Sequence, residues 1–332
     1  MLRILHDTKI DFIRWWRWAA GLTIAFIVIG FGALVIRGGF TYSVEFTGGT
    51  LMQLHFNQPP DPAKVRSALD AGGIKDAEIA TFGTPNDFTV RARAVEGAGA
   101  DSSSRRVTTL LDAAFGTDNY KVVRTEAVGA TVGSELARGA VISILVSFVV
   151  TLVYLAFRFD WRFGTAATFA TMHDILTTIA FMKILHLEIS LTVVAALLTV
   201  IGYSLNDTII IFDRVRENLR KNRREPLYDT LNRSVNETLP RSVLTHATAL
   251  AATLALLFFA GEVIRPFAWV MAFGIFTGTF SSIYVASPIL LWIETKYPRV
   301  VDARAARVQK AAKSAAPPGT IRTAQPAKAK RS

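Results

Sequence analysis

The sequence predicts an α-helical polytopic membrane protein with six transmembrane helices, plus a small α+β extracytoplasmic domain between helices 1 and 2. Three observations carry this prediction. The 332 residues are 51% hydrophobic with a mean hydropathy of +0.34, and the apolar residues are gathered into blocks. Two of those blocks, 18–36 and 139–157, hold no charged residue, and each meets the roughly 20 residues a helix needs to cross about 30 Å of hydrocarbon. The basic residues, finally, are distributed unevenly between the connecting segments, which fixes an orientation.

Residues 1–17 form a cytoplasmic N-terminal segment with four basic residues, Arg3, Lys9, Arg14 and Arg17. The block 18–36 is transmembrane helix 1. It is longer than the roughly 7–15 apolar residues of a cleavable signal peptide, so it reads as an uncleaved anchor. Residues 38–137 then lie outside. From Arg37 to Arg138 eleven basic residues face twelve acidic ones, a near-neutral balance unlike the rest of the chain.

Within this segment a strand is expected from Ser43 to Phe56, then a helix with Asp61 as N-cap and Pro62 in its first turn. Strands follow at 77–82 and 87–95, joined by a turn at Thr84, Pro85 and Asn86. A second helix from about Asp101–Ser104 to Phe115 and a last strand at 119–128 complete the order βαββαβ. That order is the split βαβ arrangement of ferredoxin-like domains. Gly48 and Gly49 suit a joint between domain and membrane helix, and equally a tight turn or bulge inside a strand.

Transmembrane helices 2 to 6 occupy 139–293, with spans at 139–157, 163–182, 189–212, 242–261 and 267–293. Arg158 and Arg162 follow the second span and eight basic residues lie in 213–241, whereas the turns near Lys183 and Arg265 hold one each. Both termini are therefore expected in the cytoplasm. The tail 296–332 carries ten basic residues and one acidic residue, supplying +9 of the net +11. Its Ala, Lys, Arg and Pro content reads as disorder. Such a tail can be a solvated topology signal, or can touch anionic lipid or the ribosome. The chain has no cysteine, which excludes disulfides and thiol catalysis. It also has no GxxxxGK[ST] or HExxH motif, so no enzymatic activity is expected.

Ionisable residues inside the spans mark the functional candidates. In IGYSLNDTIIIFDRVREN, Asn206 and Asp207 lie about five residues inside the boundary marked by Asp213 and Arg214, with Tyr203 one turn before the acid. A charged residue at the membrane centre costs roughly 2.5–3.5 kcal/mol on insertion scales, so Asp207 should face other helices or water. The third span contributes His173 and Asp174; the fifth opens with Pro240 and Arg241, continues with Thr245 and Thr248 on one stripe, and is expected to turn His246 away. An intramembrane Asp can also simply pair with Arg to lock helices together.

Taken in order, FTGGT from Phe46 to Thr50, the His173/Asp174 pair, Tyr203 to Asn218, RSVLT from Arg241 and SSIYVASP from Ser281 resemble the SecD/SecF family of the bacterial protein-export translocase, within the resistance-nodulation-division superfamily. The match covers about residues 12–295. The family motif carries Phe46, Gly48, Gly49, Asp213, Arg214, Arg216, Glu217 and Asn218. Glu45 stands where the family is expected to have aspartate, and the basic tail is longer than the family needs.

The resemblance implies an inner-membrane protein paired with SecD, associated with the SecYEG channel and with YajC as a further candidate, acting on translocating unfolded polypeptide. It implies no cofactor: protons are the coupling ion, with Na⁺ left open. Asp207 would bind the proton, Arg241 would be its movable counterion, and Asp174, Asn206 and Tyr203 would be supporting polar groups. Desolvation and an approaching guanidinium act oppositely on a carboxylate, so small displacements can switch its proton occupancy. Two other classes stay open, a proton-coupled exporter of small molecules and a non-transporting scaffold. Against the former stands size, because one small external domain offers little binding volume; against the latter stand the intramembrane Asp and Arg.

Overall fold

Helix packing here is set by small residues and hydroxyls rather than by amphipathic stripes. The computed structural model of the chain describes residues 8–36, 38–74, 77–92, 100–222, 224–261 and 263–298. The basic tail beyond residue 298 and the expectations attached to it lie outside the described residues. Ten α-helices and four strands occur among the described residues. Five helical stretches are long and apolar enough to cross a membrane. They are Ile13–Ile36, which contains α1 (Trp16–Ile36), α5 (Ala130–Arg158), α7 (Leu191–Lys221), α8 (Leu227–Phe259), and Arg265–Lys296. The last comprises α9 (Arg265–Ser281), one π-helical turn at Ser282–Ala286, and α10 (Ser287–Lys296).

The third expected span is α6 (Trp161–Ile184), 24 residues long but less apolar. Its polar residues explain the difference: Thr171, Asp174, Thr177 and Thr178 are all buried against neighbouring helices. Besides α5, which begins at Ala130, two helices outrun their expected spans. α7 continues to Lys221, and α8 begins at Leu227 with Pro240 in its interior, because the polar turns on the side of Asp213 are helical as well.

In the middle of the assembly α7 and α9 approach closely. Gly274 and Gly278, spaced as GxxxG, lie against Val200 and Ser204; a Cβ on Gly278 would come within 2.9 Å of the Ser204 Cβ. Small residues of this kind let membrane helices gain van der Waals contact without a hydrophobic driving force. Gly30 of α1 meets Ala180 of α6 in the same way. The apolar surfaces of α1 and α5 stay mostly exposed, as faces turned to lipid or protein would be.

An α+β unit lies between α1 and α5. Its order is α2 (Val44–Thr47), β1 (Gly49–Phe56), α3 (Pro62–Ala71), β2 (Glu78–Phe82), β3 (Thr84–Ala92), α4 (Ala100–Phe115) and β4 (Tyr120–Val128). The sheet order is β2-β3-β1-β4, with every neighbouring pair antiparallel. Asp61 caps α3, accepting from the Ala63 N–H at 2.9 Å, with Pro62 in the first position. The inward faces of the strands and both helices bury Leu54, Phe56, Leu69, Phe88 and Leu111 together.

Three expectations shift. Residues 44–47 are one helical turn rather than strand, because Gly48 ends the turn at φ +70° and Gly49 opens β1 at φ +131°. The hairpin turns at Gly83, φ +76°, so Pro85 and Asn86 belong to β3. There Asp87 accepts from the Thr84 hydroxyl at 2.5 Å, and the Asn86 amide donates to the Phe56 carbonyl at 2.9 Å. Residues 130–137 are the first turns of α5 rather than part of the domain.

Gly48 has no freedom to become another residue. Its φ is in the left-handed half of the map, and a Cβ there would sit 2.8 Å from Ala130 Cα. Gly48→Ala is expected to lose about 1–3 kcal/mol through backbone strain alone, seen as a lower thermal midpoint of the purified protein. The Thr84 hydroxyl bond, with a smaller effect of His55, holds the Asp87 carboxyl below its usual range. A depressed carboxylate stabilises above its unfolded pKa and loses that contribution as pH falls through the folded one. Between about pH 5 and 3 the native midpoint should therefore fall more steeply than that of Asp87→Asn.

Candidate functional site

Two buried carboxylates flank α7. Asp207 faces α8: its Oδ1 accepts from Ser242 Oγ at 2.7 Å, and its Oδ2 stands 3.9 Å from His246 Nε2. Oδ2 and His246 Nδ1 are both buried without a hydrogen-bond partner among the described residues. Tyr203, one turn earlier, bridges the same two helices. Its hydroxyl donates to the Thr245 carbonyl at 3.2 Å, and its ring meets His246 edge-on at 5.4 Å.

One turn before Asp207 on a neighbouring stripe of α7, Ser204 meets Asp174 of α6, which is 1% exposed. Its Oδ2 accepts from Ser204 Oγ and from Ser281 Oγ at 2.7 Å. Its Oδ1 lies 3.1 Å from His173 Nδ1. Ser204 and Asp207 are three residues apart, so α7 carries a polar group to each neighbour. Thr208 extends the network, pairing at 2.7 Å with Ser282 at the start of the π-helical turn. The Ser287 hydroxyl bonds back to the Ser282 carbonyl, five residues earlier, across that turn.

The expected stripe on α8 is displaced by one residue. Ser242 and His246 face Asp207, whereas Arg241, Thr245 and Thr248 are exposed. No ion pair joins Arg241 to Asp207 among the described residues; the guanidinium acts on the acid only at longer range. Asn206 is exposed as well, so it does not support Asp207 within this chain. Asp174 is the better enclosed of the two acids, although the sequence ranks it second. Ser204, Ser242, Ser281 and Ser282 do not stand out in the sequence as carboxylate partners, because serine in a membrane helix usually bonds its own backbone. The signal available for Ser242 and His246 was their i, i+4 spacing.

Where α5, α7 and α8 meet near Asp213, the charged residues of the family motif form a polar lock. Arg158 pairs with Asp213, which Arg216 also approaches at 3.8 Å. Arg214 binds Glu237 at 2.5 Å and Glu217 at 2.7 Å. The Asn218 amide donates to Glu237 at 2.7 Å and to Ser234 at 3.0 Å. Beside this lock a cavity of about 870 Å³ extends up to Pro240 between α8 and residues 8–11. Asn236 holds that segment by donating to the Ile10 carbonyl at 2.8 Å and accepting from its N–H at 2.9 Å. Phe46 lines an apolar recess of about 370 Å³, and Gly48 and Gly49 link α2 to β1.

Comparison with known proteins agrees with this arrangement. The family model for the C-terminal part of SecD/SecF protein-export membrane proteins matches residues 108–296, and that for the SecD/SecF GG motif matches residues 33–60. The protein translocase subunit SecF of Gemmatimonas aurantiaca is 61% identical over 321 residues, covering 95% of this chain and 96% of that protein. The SecF subunit of Escherichia coli O157:H7 is 37% identical, covering 88% and 90%. A crystal structure of SecDF from Thermus, titled a translocon-associated membrane protein, superposes with a TM-score of 0.77 at 36% identity. It is matched over 89% of this chain, which spans 40% of the length of that SecDF chain. With a relative at this identity over nearly its whole length and a family model over more than half of it, the chain belongs to the SecD/SecF family of protein-export membrane proteins, as a translocase subunit with a role in transport.

Proposed function

We propose that the chain is half of an ion-driven auxiliary of protein export, in which Asp207 takes up and releases a proton and the external domain delivers the resulting movement to an unfolded polypeptide. The observation that carries this reading is the Asp207 environment. The acid is buried at membrane depth, one carboxylate oxygen lacks a hydrogen-bond partner among the described residues, and Ser242 binds the other while His246 stands 3.9 Å away on the same helix. The cavity reaching Pro240 comes within two residues of Ser242 from the cytoplasmic side, a suitable aqueous approach. Each proton crossing the membrane releases about 2.3 kcal/mol per 100 mV from the electrical term.

Arg241 precedes Ser242 and therefore points about 100° around α8 from it. A rotation of that size exchanges Ser242 and His246 at the carboxylate for Arg241 and Thr245. In this reading the guanidinium is the movable counterion: its approach expels the proton and its retreat readmits one. Asp174 and Tyr203 steady α7 against its neighbours during the exchange. Na⁺ is the competing coupling ion, since hydroxyls and carboxylates supply suitable ligands.

Exposed Asn206 and Arg241 at membrane depth should not meet lipid, which supports a protein partner over this face. SecD is that partner in our reading, with SecYEG, and YajC as a further member, completing the assembly in the bacterial inner membrane. The sixth span is α6, whose Asp174, Thr177 and Thr178 find hydrogen-bond partners inside the bundle, and the βαββαβ domain is ferredoxin-like. Both termini are cytoplasmic.

Topology is tested with single cysteines in a chain that has none. Lys64→Cys should react with an impermeant thiol reagent added outside intact cells and Lys221→Cys should not; the reverse pattern would invert the orientation. Coupling is tested by export into vesicles under imposed proton or sodium gradients. Asp207→Asn should abolish gradient-stimulated export while leaving membrane insertion and SecD binding intact, since removing a buried charge also removes its desolvation cost. Full gradient-stimulated export by this variant would reduce Asp207 to a scaffold residue, and a response to sodium alone would replace the proton.

A further inference from the structure

The first turn of a helix exposes N–H groups that need acceptors. At the start of α7 the Val193 N–H goes to the Ser190 hydroxyl, 3.3 Å, and the Val194 N–H to the Ser190 carbonyl, 2.9 Å. The Leu191 N–H is instead taken from outside the helix, by Glu45 Oε2 at 2.7 Å. Glu45 belongs to α2, the one-turn lead-in to the external domain, and its carboxylate is steadied by Ser43 Oγ at 3.2 Å. A carboxylate at a helix N-terminus gains from both the charge-assisted bond and the helix dipole.

Backbone pairing surrounds this contact. Ser43 N–H donates to the Ile189 carbonyl and Ile189 N–H to the Thr41 carbonyl, each at 2.9 Å. A second side-chain contact reaches the same turn from the sheet: Arg91 on β3 binds Glu188 at 2.6 Å and the Tyr42 carbonyl at 3.2 Å. On its other side α2 leans on the start of α5, where a Cβ on Gly133 would fall 2.9 Å from the Gly48 nitrogen. The chain entering the domain, the helix that follows it, and the head of α7 thus meet at α2.

We propose that Glu45 is a positioning residue for ion coupling: with Arg91–Glu188 it forms a clasp that makes the external domain and α7 move as one body. The inference rests on the reading of Asp207 as the ion-binding group. Asp207 lies sixteen residues beyond Leu191 on an unbroken helix, about 24 Å at 1.5 Å per residue. Displacement of α7 at Asp207 therefore reaches Leu191, and the clasp passes it to the base of the domain. Glutamate at position 45 has the reach for this bond; aspartate is shorter by one C–C bond, about 1.5 Å.

The test uses the full chain with SecD in liposomes, spin-labelled at Lys64→Cys on the domain and Leu185→Cys on the turn before α7. The parent should give one narrow distance distribution. Glu45→Ala with Arg91→Ala should broaden it or add a second population, Glu45→Asp should fall between, and the exchange Arg91→Glu with Glu188→Arg should keep it narrow when Glu45 is present. A merely structural role would lower yield and melting temperature while the folded fraction kept the parent distribution. That result, an unchanged distribution in the double alanine variant, overturns the clasp. In export assays the double alanine variant should lose gradient stimulation by roughly fivefold or more, the low end of coupling between sites, with gradient-independent export unchanged; full stimulation would also overturn it. The distance arm makes no use of Asp207. An error in the Asp207 reading would appear separately, as an Asp207→Asn variant with normal gradient response and a parent-like distribution.

Discussion

Keeping carboxylates out of hydrocarbon governs the helix arrangement. Asp174 and Asp207 are placed where lipid would penalise them, and neither can be satisfied by its own helix. Asp174 needs Ser204 from α7 and Ser281 from α9; Asp207 needs Ser242 from α8. Four helices must therefore converge, and the glycines at 274 and 278 are what let α9 come near enough to α7 for the Ser281 hydroxyl to reach. Hydrogen bonds between membrane helices are individually modest, on the order of 0.6–2 kcal/mol. Their effect here is to fix register and rotation, while close packing supplies most of the contact.

The same constraint explains what the sequence revealed. Uncharged blocks such as 18–36 and 139–157 announce themselves because they face outward and tolerate nothing polar. α6 is less visible for the opposite reason: one face of it is packed against protein, so that face can carry Thr171, Asp174, Thr177 and Thr178. In the α+β domain, the strand-like runs between turn residues and the Asp61–Pro62 cap make the element order legible. Strand ends were less so, since Gly48 and Gly83 determine them through positive φ, and glycine in sequence reads equally as turn or bulge. Asp207 stood out by type and depth. Its partners did not, because one residue of helix is a 100° rotation, and a polar run such as RSVLTH offers two adjacent faces.

This ambiguity has a physical counterpart in the molecule. Ser242 and His246 present a neutral or weakly basic face to Asp207, and Arg241 with Thr245 present a cationic one beside it. Sequence reading selected the cationic face; the structure holds the other. Both faces belong to one helix, α8, whose interior Pro240 removes a backbone hydrogen bond one turn below the contact. A helix loosened there meets less resistance to turning above that point than an unbroken one.

The π-helical turn at Ser282–Ala286 adds a second place where register is not uniform. Turns of this kind widen the backbone spacing by one residue and concentrate at functional sites. Here it stands against Thr208, next to Asp207, and begins one residue after Ser281, which holds Asp174. The two acids therefore share α7 on one side and the irregular end of α9 on the other. A change at Asp207 that moved Thr208 would load Ser282 and, through it, the Ser281 hydroxyl on Asp174. Between the polar lock at its C-terminal end and the Glu45 bond at its head, α7 is gripped at both ends and contacted by hydroxyls in its middle. A helix held in that way transmits axial and rotational displacement along its length better than it bends, and α7 runs from Asp207 to the base of the α+β domain.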